Sequence, residues 1–151
     1  MARVLIIDGN SAETRARQIA AGGTDSGDAY AEVVARMGSE LGATIDCDIV
    51  RPADRQPVWA EGGTLANYSG VAITGSALNA YNAEPEVTRQ IDLTKAVLAA
   101  AVPVFGSCWG LQLAVAATGG RVIPNPLGRE FGFARRIELN QAGREHPMFR
   151  D

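Results

Sequence analysis

The sequence predicts an α/β fold in which an open, mostly parallel sheet has helices on both faces and so forms three layers. Three short apolar runs, each ending at a small or polar turn, predict it: Arg3–Ile7, Gly70–Thr74 and Val104–Phe105. Apolar runs without alternation are typical of parallel strands that are buried on both faces. Stretches with helical spacing of apolar residues separate the runs and supply the crossovers that parallel strands need.

The composition fits one domain over residues 1–151 and argues against several kinds of partner. The chain is 46% hydrophobic and 21% charged, which suits a globular domain with a buried core. A formal net charge of −3, without a run rich in Lys or Arg, argues against a nucleic-acid partner. The first apolar run is too short for a signal peptide or a membrane span, so we expect a cytoplasmic protein without a membrane partner.

The first strand, Arg3–Ile7, is expected to be central in the sheet and ends at Asp8-Gly9-Asn10. Ligands of open α/β sheets bind beyond the carboxyl ends of the strands, so Asp8 and Asn10 stand where a binding site could use them. Both are also common turn residues, and turn formation alone is the simpler explanation.

The next predicted element is a helix, because apolar residues recur at helical spacing from Tyr30 to Leu41. Asp28 is the expected N-cap and Gly42 the expected end. Met37, within the apolar stripe, is expected to lie in the core.

Alternation over Thr44–Val50 predicts a strand with one wet face. Cys47 falls on its apolar face and is expected to be a small buried hydrophobe. Cys47 and Cys108 lack metal-ligand spacing, and both thiols are expected to stay reduced. Residues 52–69 are predicted to form a loop, in which Trp59 either packs under the loop or anchors a partner.

The second half of the chain is expected to contain two helices and two further strands. The crossover helix covers Glu86–Ala101, and a helix that is apolar nearly all round covers Leu111–Ala117 before Gly119 ends it. The further strands are expected at Arg121–Ile123 and Arg135–Leu139.

The most informative stretch passes from a strand to a helix through Gly106-Ser-Cys108-Trp-Gly110, the pattern of a nucleophile elbow. A cysteine at the middle of such a turn is pushed out of the bend, and the flanking glycines remove side chains that would crowd it. The unpaired N–H groups and partial positive charge of the following helix N-terminus favour the thiolate of Cys108. Close packing of a strand on a helix gives the same glycine spacing, so these five residues alone leave both interpretations open.

Extended to Gln112, the string Gly106-Ser-Cys-Trp-Gly-Leu-Gln resembles the signature of class I glutamine amidotransferases, whose domain is flavodoxin-like. The resemblance implies that Cys108 attacks the side-chain amide of glutamine and that Gln112 helps to hold this substrate. Ser107 is not a competing nucleophile, because a serine hydrolase would need its serine midway between the two glycines.

A second stretch, Gly75-Ser76 after the strand Gly70–Thr74, resembles the glycine turn with which this family supplies one backbone N–H of the oxyanion hole. The resemblance implies that Gly75 provides this N–H and that Trp109 provides the other. The family often has a second glycine or a proline in this turn. The residue that supplies the N–H is therefore fixed only to within one position of Gly75. Residues 129–132 resemble the Glu-aromatic-Gly element of synthase-type members.

The histidine base that the family uses is not at its expected place. Such a cysteine needs a histidine to accept its proton and a carboxylate to orient the imidazole. The only histidine, His146, lies in a polar C-terminal stretch, whereas the family's His-x-Glu element lies further along the chain. We therefore expect a domain that is incomplete at its C-terminus, with the histidine and acid beyond residue 151 and an inactive 151-residue form. The alternative is that His146 is the base.

Three functions remain open. The first is a glutaminase in which Cys108 releases ammonia from glutamine, without a cofactor, for an unknown acceptor; in relatives a synthetase partner or domain receives the ammonia. The second is hydrolysis of γ-glutamyl amides or peptides without ammonia transfer. The third is a non-catalytic module that binds a partner.

Overall fold

The sheet consists of four parallel strands, β1 (Ala2–Ile7), β2 (Ile45–Val50), β3 (Gly70–Ile73) and β4 (Val104–Gly106). Their spatial order is β2-β1-β3-β4. The structure is a computed structural model that describes residues 2–57, 64–128, 132–133 and 136–149; Trp59 and residues 129–131 therefore lie outside the described part. β1 pairs with both β2 and β3, which confirms its predicted central position.

Five helices are present in the described residues. They are α1 (Ala12–Ala20), α2 (Ser26–Glu40), α3 (Pro85–Ala99), α4 (Trp109–Ala117) and α5 (Gln141–Glu145), with short 3-10 turns at Leu65–Asn67 and Pro147–Phe149. α1 and α2 connect β1 to β2, and α3 connects β3 to β4. None of these helices is long and apolar enough to cross a bilayer.

The sheet is covered on both faces, which confirms the predicted three-layer α/β class. On one face α2 packs against β2, where a Cβ on Gly27 would lie 2.8 Å from Ile49 Cγ2 and one on Gly38 2.7 Å from Ile45 Cδ1. Side chains along a strand alternate between the two faces of the sheet. Leu5 and Ile7 of β1 and Val71 and Ile73 of β3 therefore lie on the face opposite α2. They form the main core with α3 and α4: Leu5, Ile7, Val71, Ile73, Val87, Leu93, Val97, Trp109 and Leu113.

α1 was not expected from the sequence because it has no apolar stripe. Its buried residues are Thr14 and Arg15, and Ser11 caps its N-terminus by accepting a hydrogen bond from the Thr14 N–H. Polar contacts hold this helix in place, and hydrophobic periodicity does not detect such a helix.

α2 begins earlier than predicted and buries a different face. Asp25, not Asp28, is the N-cap, since its carboxylate accepts hydrogen bonds from the N–H groups of Gly27 and Asp28. Met37 is 46% exposed, so the expectation that it lies in the core is wrong. Gly27 and Gly38 are buried instead, because α2 lies so close to β2 that a side chain at either position would collide with the strand.

Three expectations for the second half of the chain are wrong. Residues 121–123 form no strand, and neither do residues 136–139, the described part of the second predicted strand. The described sheet ends at β4, and neither segment pairs with this edge strand. Leu111 is 62% exposed, which means that α4 is buried on one side only. The predicted end of α4 is confirmed, because Gly119 follows it with a φ of +82°.

Candidate active site

The backbone bends sharply at Cys108, between β4 and α4. Cys108 has φ 52° and ψ −98°, outside the regions that residues with a Cβ normally occupy. Such a conformation persists only where the surrounding structure enforces it. The thiol is free and exposed at the N-terminus of α4, and it makes no hydrogen bond to any described residue.

The two predicted glycines are required by close contacts at this bend. A Cβ on Gly106 would lie 3.0 Å from the Cα of Gly110, and a Cβ on Gly110 would lie 3.1 Å from the Cβ of Ile73. Both distances are shorter than ordinary Cβ contacts, so α4 starts directly against the ends of β4 and β3. We call residues 106–110 the Cys108 turn.

The parallel register places Gly75 and Cys108 at the same carboxyl edge of the sheet. Ile73 of β3 pairs with Gly106 of β4, and Gly75 and Cys108 each follow their paired residue by two positions. Within the described residues, neither the Gly75 N–H nor the Trp109 N–H donates a hydrogen bond. Trp109 is the first residue of α4, where the backbone N–H has no partner inside the helix. The two N–H groups predicted as oxyanion donors are therefore unoccupied.

Hydrogen bonds from the β1 turn hold the segment around Gly75. Gly9 N–H donates to Thr74 Oγ1 at 2.9 Å, and Ser76 Oγ donates to the Gly9 carbonyl at 2.8 Å. The Ala77 N–H donates to Asn10 Oδ1 at 3.1 Å. Asn10, which the sequence placed near a possible site, thus supports the backbone of the Gly75 segment.

Sequence reasoning missed Gln90, which holds Trp109 in place. The indole of Trp109 is fully buried, and its Nε1 donates to Gln90 Oε1 at 2.8 Å. Gln90 lies on α3 and is itself fully buried. The sequence pattern does point to Gln90. It falls at helical spacing from Val87 and Val97, so it is a polar residue on the core face of α3.

Gln112 lies one helical turn after Cys108 and donates its backbone N–H to the Cys108 carbonyl at 3.2 Å. Its half-buried carboxamide makes no hydrogen bond to any described residue. A free carboxamide at this position has both a donor and an acceptor available for a ligand.

The described contacts of His146 are with its own C-terminal segment and not with the Cys108 turn. His146 is exposed at the end of α5, where its Nδ1 accepts a hydrogen bond from the Met148 N–H at 3.2 Å. Its ring lies 6.0 Å from the ring of Phe149, centroid to centroid. No hydrogen bond joins His146 or a carboxylate to the Cys108 thiol in the described part of the chain.

Asp8 belongs to a separate charged cluster on the α2 face of the sheet. Its carboxylate is fully buried, with Oδ2 3.8 Å from Arg15 Nε and 3.6 Å from Arg51 Nε, and its Oδ1 accepts from the Asn10 N–H. Burial raises the pKa of Asp8, although the Asn10 hydrogen bond and the two guanidinium groups oppose this.

A cavity of about 360 Å³ beside Arg51 is lined by residues near β2 and does not include the Cys108 turn. Across the described residues, no group of three or more metal-ligating side chains is placed to hold a metal ion.

The sequence containing this turn matches a known family. The profile described as glutamine amidotransferase class-I matches residues 24–150. The chain belongs to the class I glutamine amidotransferase family. This confirms the resemblance seen at the Cys108 turn, while the roles of individual residues stay predictions.

The relatives of this amidotransferase chain include hydrolases and synthases. It is 36% identical over 149 residues to a γ-glutamyl-L-1-hydroxyisopropylamide hydrolase from a Pseudomonas species, a match that covers 97% of this chain and 48% of that protein. It is 34% identical over 119 residues to the glutamine-hydrolyzing GMP synthase of Sodalis glossinidius, covering 74% of this chain and 19% of the synthase. The chain thus spans about half or less of the length of these relatives.

A solved structure supports the fold. The glutamine amidotransferase from Methylobacillus flagellatus is similar with a TM-score of 0.53 at 23% identity, over 83% of this chain and 42% of that one. At this level of identity the likeness concerns the fold alone.

Proposed function

We propose that the protein hydrolyses the amide bond of a γ-glutamyl compound with Cys108 as its nucleophile. The supporting observation is the strained backbone of an exposed cysteine at a helix N-terminus, with φ 52° and ψ −98°. A nucleophile elbow has this geometry because the bend projects the nucleophile away from both the strand and the helix.

The Cys108 thiolate attacks the γ-carbonyl carbon, and the carbonyl oxygen becomes an oxyanion. The N–H groups of Gly75 and Trp109 donate to this oxygen, and losing one such donor costs about 10²- to 10³-fold in turnover. The C–N bond then breaks, the amine leaves with a proton taken from solvent water, and the γ-glutamyl group remains on sulfur as a thioester. Water hydrolyses the thioester and frees the thiol. Gln112, whose carboxamide is free, contributes to substrate binding.

Two substrate classes are supported by different relatives. The GMP synthase similarity supports glutamine, with ammonia passed to a synthetase partner whose acceptor is unknown. The Pseudomonas similarity extends over 97% of the chain and supports a γ-glutamyl amide of an amino alcohol, for which no synthetase partner is needed. We propose γ-glutamyl amides as the general class, with glutamine as its smallest member, and a cytoplasmic location in which Cys108 stays reduced.

The experiment compares hydrolysis of L-glutamine and of a γ-glutamyl alkylamide by mass spectrometry of the products. Cys108→Ala removes the nucleophile and is expected to abolish both reactions, while the matched variant Cys47→Ala is expected to retain them. Hydrolysis that survives Cys108→Ala contradicts the mechanism. Absence of hydrolysis with both substrates, in a longer form that carries a His-x-Glu pair downstream of residue 151, favours the partner-binding module.

A further inference from the structure

Gly9, in the turn after β1, is hydrogen-bonded to the Gly75 segment and to Gln90 of α3. Its carbonyl oxygen accepts from Ser76 Oγ at 2.8 Å and from Gln90 Nε2 at 3.3 Å. Its N–H donates to Thr74 Oγ1 at 2.9 Å. The Gly75 segment is thus fixed to Gly9 directly, and α3 is fixed to Gly9 through Gln90.

Gln90 extends this connection to the Cys108 turn. Its Oε1 accepts from the Trp109 indole N–H at 2.8 Å, and its Nε2 also donates to the Glu86 carbonyl at 3.1 Å. The indole N–H can only donate and the two carbonyls can only accept, so the orientation of the carboxamide is determined. A neutral carboxamide can satisfy all three neighbours at once, which an apolar side chain of similar size cannot do.

We propose that Gln90 is a positioning residue that aligns the N–H groups of Trp109 and Gly75 with each other. The inference rests on the proposed function, in which both groups donate to the same oxyanion. Gln90 sets the position of the Trp109 side chain and hence of the first residue of α4. Through Gly9 it shares a hydrogen-bond acceptor with Ser76, directly after Gly75. It touches no reacting atom.

The test removes this link without removing the buried bulk. Gln90→Leu eliminates every hydrogen bond of the carboxamide, and Trp109→Phe eliminates the indole N–H while keeping a buried ring. Thr94→Val is the matched control: Thr94 is buried one turn further along α3, and its Oγ1 donates to the Gln90 backbone carbonyl at 2.8 Å. That variant loses a buried hydrogen bond on the same helix but leaves the contacts of the Gln90 carboxamide in place.

With the γ-glutamyl amide that the protein turns over fastest, Gln90→Leu and Trp109→Phe are each expected to lower kcat by about 10- to 100-fold. KM should change by less than about twofold, because only the transition state is affected. Thr94→Val should leave kcat within about twofold. In the Trp109→Phe background, Gln90→Leu should cost less than in the wild type, since the hydrogen bond between the indole and Gln90 Oε1 is already absent there. Equal losses in Gln90→Leu and Thr94→Val, or equal costs of Gln90→Leu in both backgrounds, overturn the proposal.

Alkylation of Cys108 by iodoacetamide gives a readout that does not require turnover. If no γ-glutamyl amide is hydrolysed, the alkylation rate of Cys108 alone tests the positioning role of Gln90. Gln90→Leu should then change the Cys108 rate at least about threefold relative to Cys47, because a displaced start of α4 moves the Cys108 thiol with it, and Thr94→Val should not. An unchanged rate in Gln90→Leu overturns the proposal. Failure of the proposed function appears separately, as hydrolysis that survives Cys108→Ala.

Discussion

A Cβ atom placed on Gly9 would lie 2.5 Å from Cδ1 and 2.8 Å from Nε1 of the Trp109 indole. The turn after β1 and the first residue of α4 are therefore in direct backbone-to-ring contact, although they are 100 residues apart in sequence. The indole is fully buried, so it cannot swing aside. The position of the Cys108 turn thus depends on the absence of a side chain at residue 9.

Gly9→Ala is expected to destabilise the fold by about 1–3 kcal/mol, the usual cost of overpacking a filled core. It should also lower turnover more than the loss of stability explains, because the displaced indole carries the Trp109 N–H with it. Urea unfolding and kcat measure the two effects. Gly70→Ala is the control, since its Cβ would meet only the Pro103 carbonyl at an ordinary 3.7 Å. Similar effects of the two variants would contradict this prediction.

The two thiols are expected to react at different rates with iodoacetamide. Cys47 is half-buried against α2, 3.8 Å from the Ala31 carbonyl. Burial, followed by the charges of Asp46 and Asp48, raises the pKa of Cys47. Cys108 is exposed at a helix N-terminus, so it should be alkylated faster near neutral pH. Peptide mapping after timed alkylation from pH 6 to pH 9 measures both rates, and faster labelling of Cys47 would contradict the assignment of Cys108.

Gln112→Ala is expected to raise KM by about 5- to 20-fold with little change in kcat, the mark of lost ground-state binding. The reason is that its carboxamide has no partner among the described residues and lies one turn from Cys108. Leu111→Ala, which alters the exposed neighbouring residue, should leave KM unchanged. An unchanged KM in Gln112→Ala would assign this residue to structure.

The local features of the site could be predicted from sequence, whereas the long-range ones could not. Gly106, Cys108 and Gly110 were identified because the constraints on a strand-to-helix bend act within five consecutive residues. Gln90 was missed because its function depends on an indole 19 residues away and a carbonyl 81 residues away. The core position of Met37 was predicted wrongly for a related reason: α2 packs so closely on β2 that its glycines, and not its large apolar residues, form the contact.

A polar cluster of Arg3, Asp48 and Tyr68, at the edge of the core, gives stability that depends on pH. The Tyr68 hydroxyl donates to Asp48 Oδ2 at 2.7 Å, and Arg3 Nε lies 2.8 Å from the same oxygen. Burial and the bond to Asp48 raise the pKa of Tyr68 to about 12. Burial also raises the pKa of Asp48, but the hydrogen bonds from Tyr68 and Arg3 outweigh it and leave this pKa below 3.8.

The sign of each shift sets the expected pH window. The lowered pKa of Asp48 means that its contribution is present above pH 3.8 and is lost as pH falls through the folded-state pKa. The raised pKa of Tyr68 means that its contribution is lost as pH rises toward about 12. Tyr68→Phe should therefore cost about 1 kcal/mol at pH 7, after discounting for partial exposure, and less in acid. Urea midpoints from pH 3 to pH 7 test this; Tyr30→Phe is the control, and a cost independent of pH would contradict it.

The last prediction concerns the base. This chain is expected to hydrolyse glutamine about 10²- to 10⁴-fold more slowly than the Pseudomonas relative hydrolyses its own amide, because no histidine or carboxylate of the described residues is hydrogen-bonded to the Cys108 thiol to help protonate the leaving amine.

His146→Ala is expected to leave this residual rate unchanged, since His146 Nδ1 is bonded to the Met148 N–H and no hydrogen bond joins its ring to the Cys108 thiol among the described residues. His146→Gln, which keeps a polar side chain at this position, is the matched control. Alanine removes both ring nitrogens, so a proton transfer that depends on His146 cannot survive it. If this chain shows full turnover and His146→Ala abolishes it, His146 is the base. No further histidine is then required for the reaction.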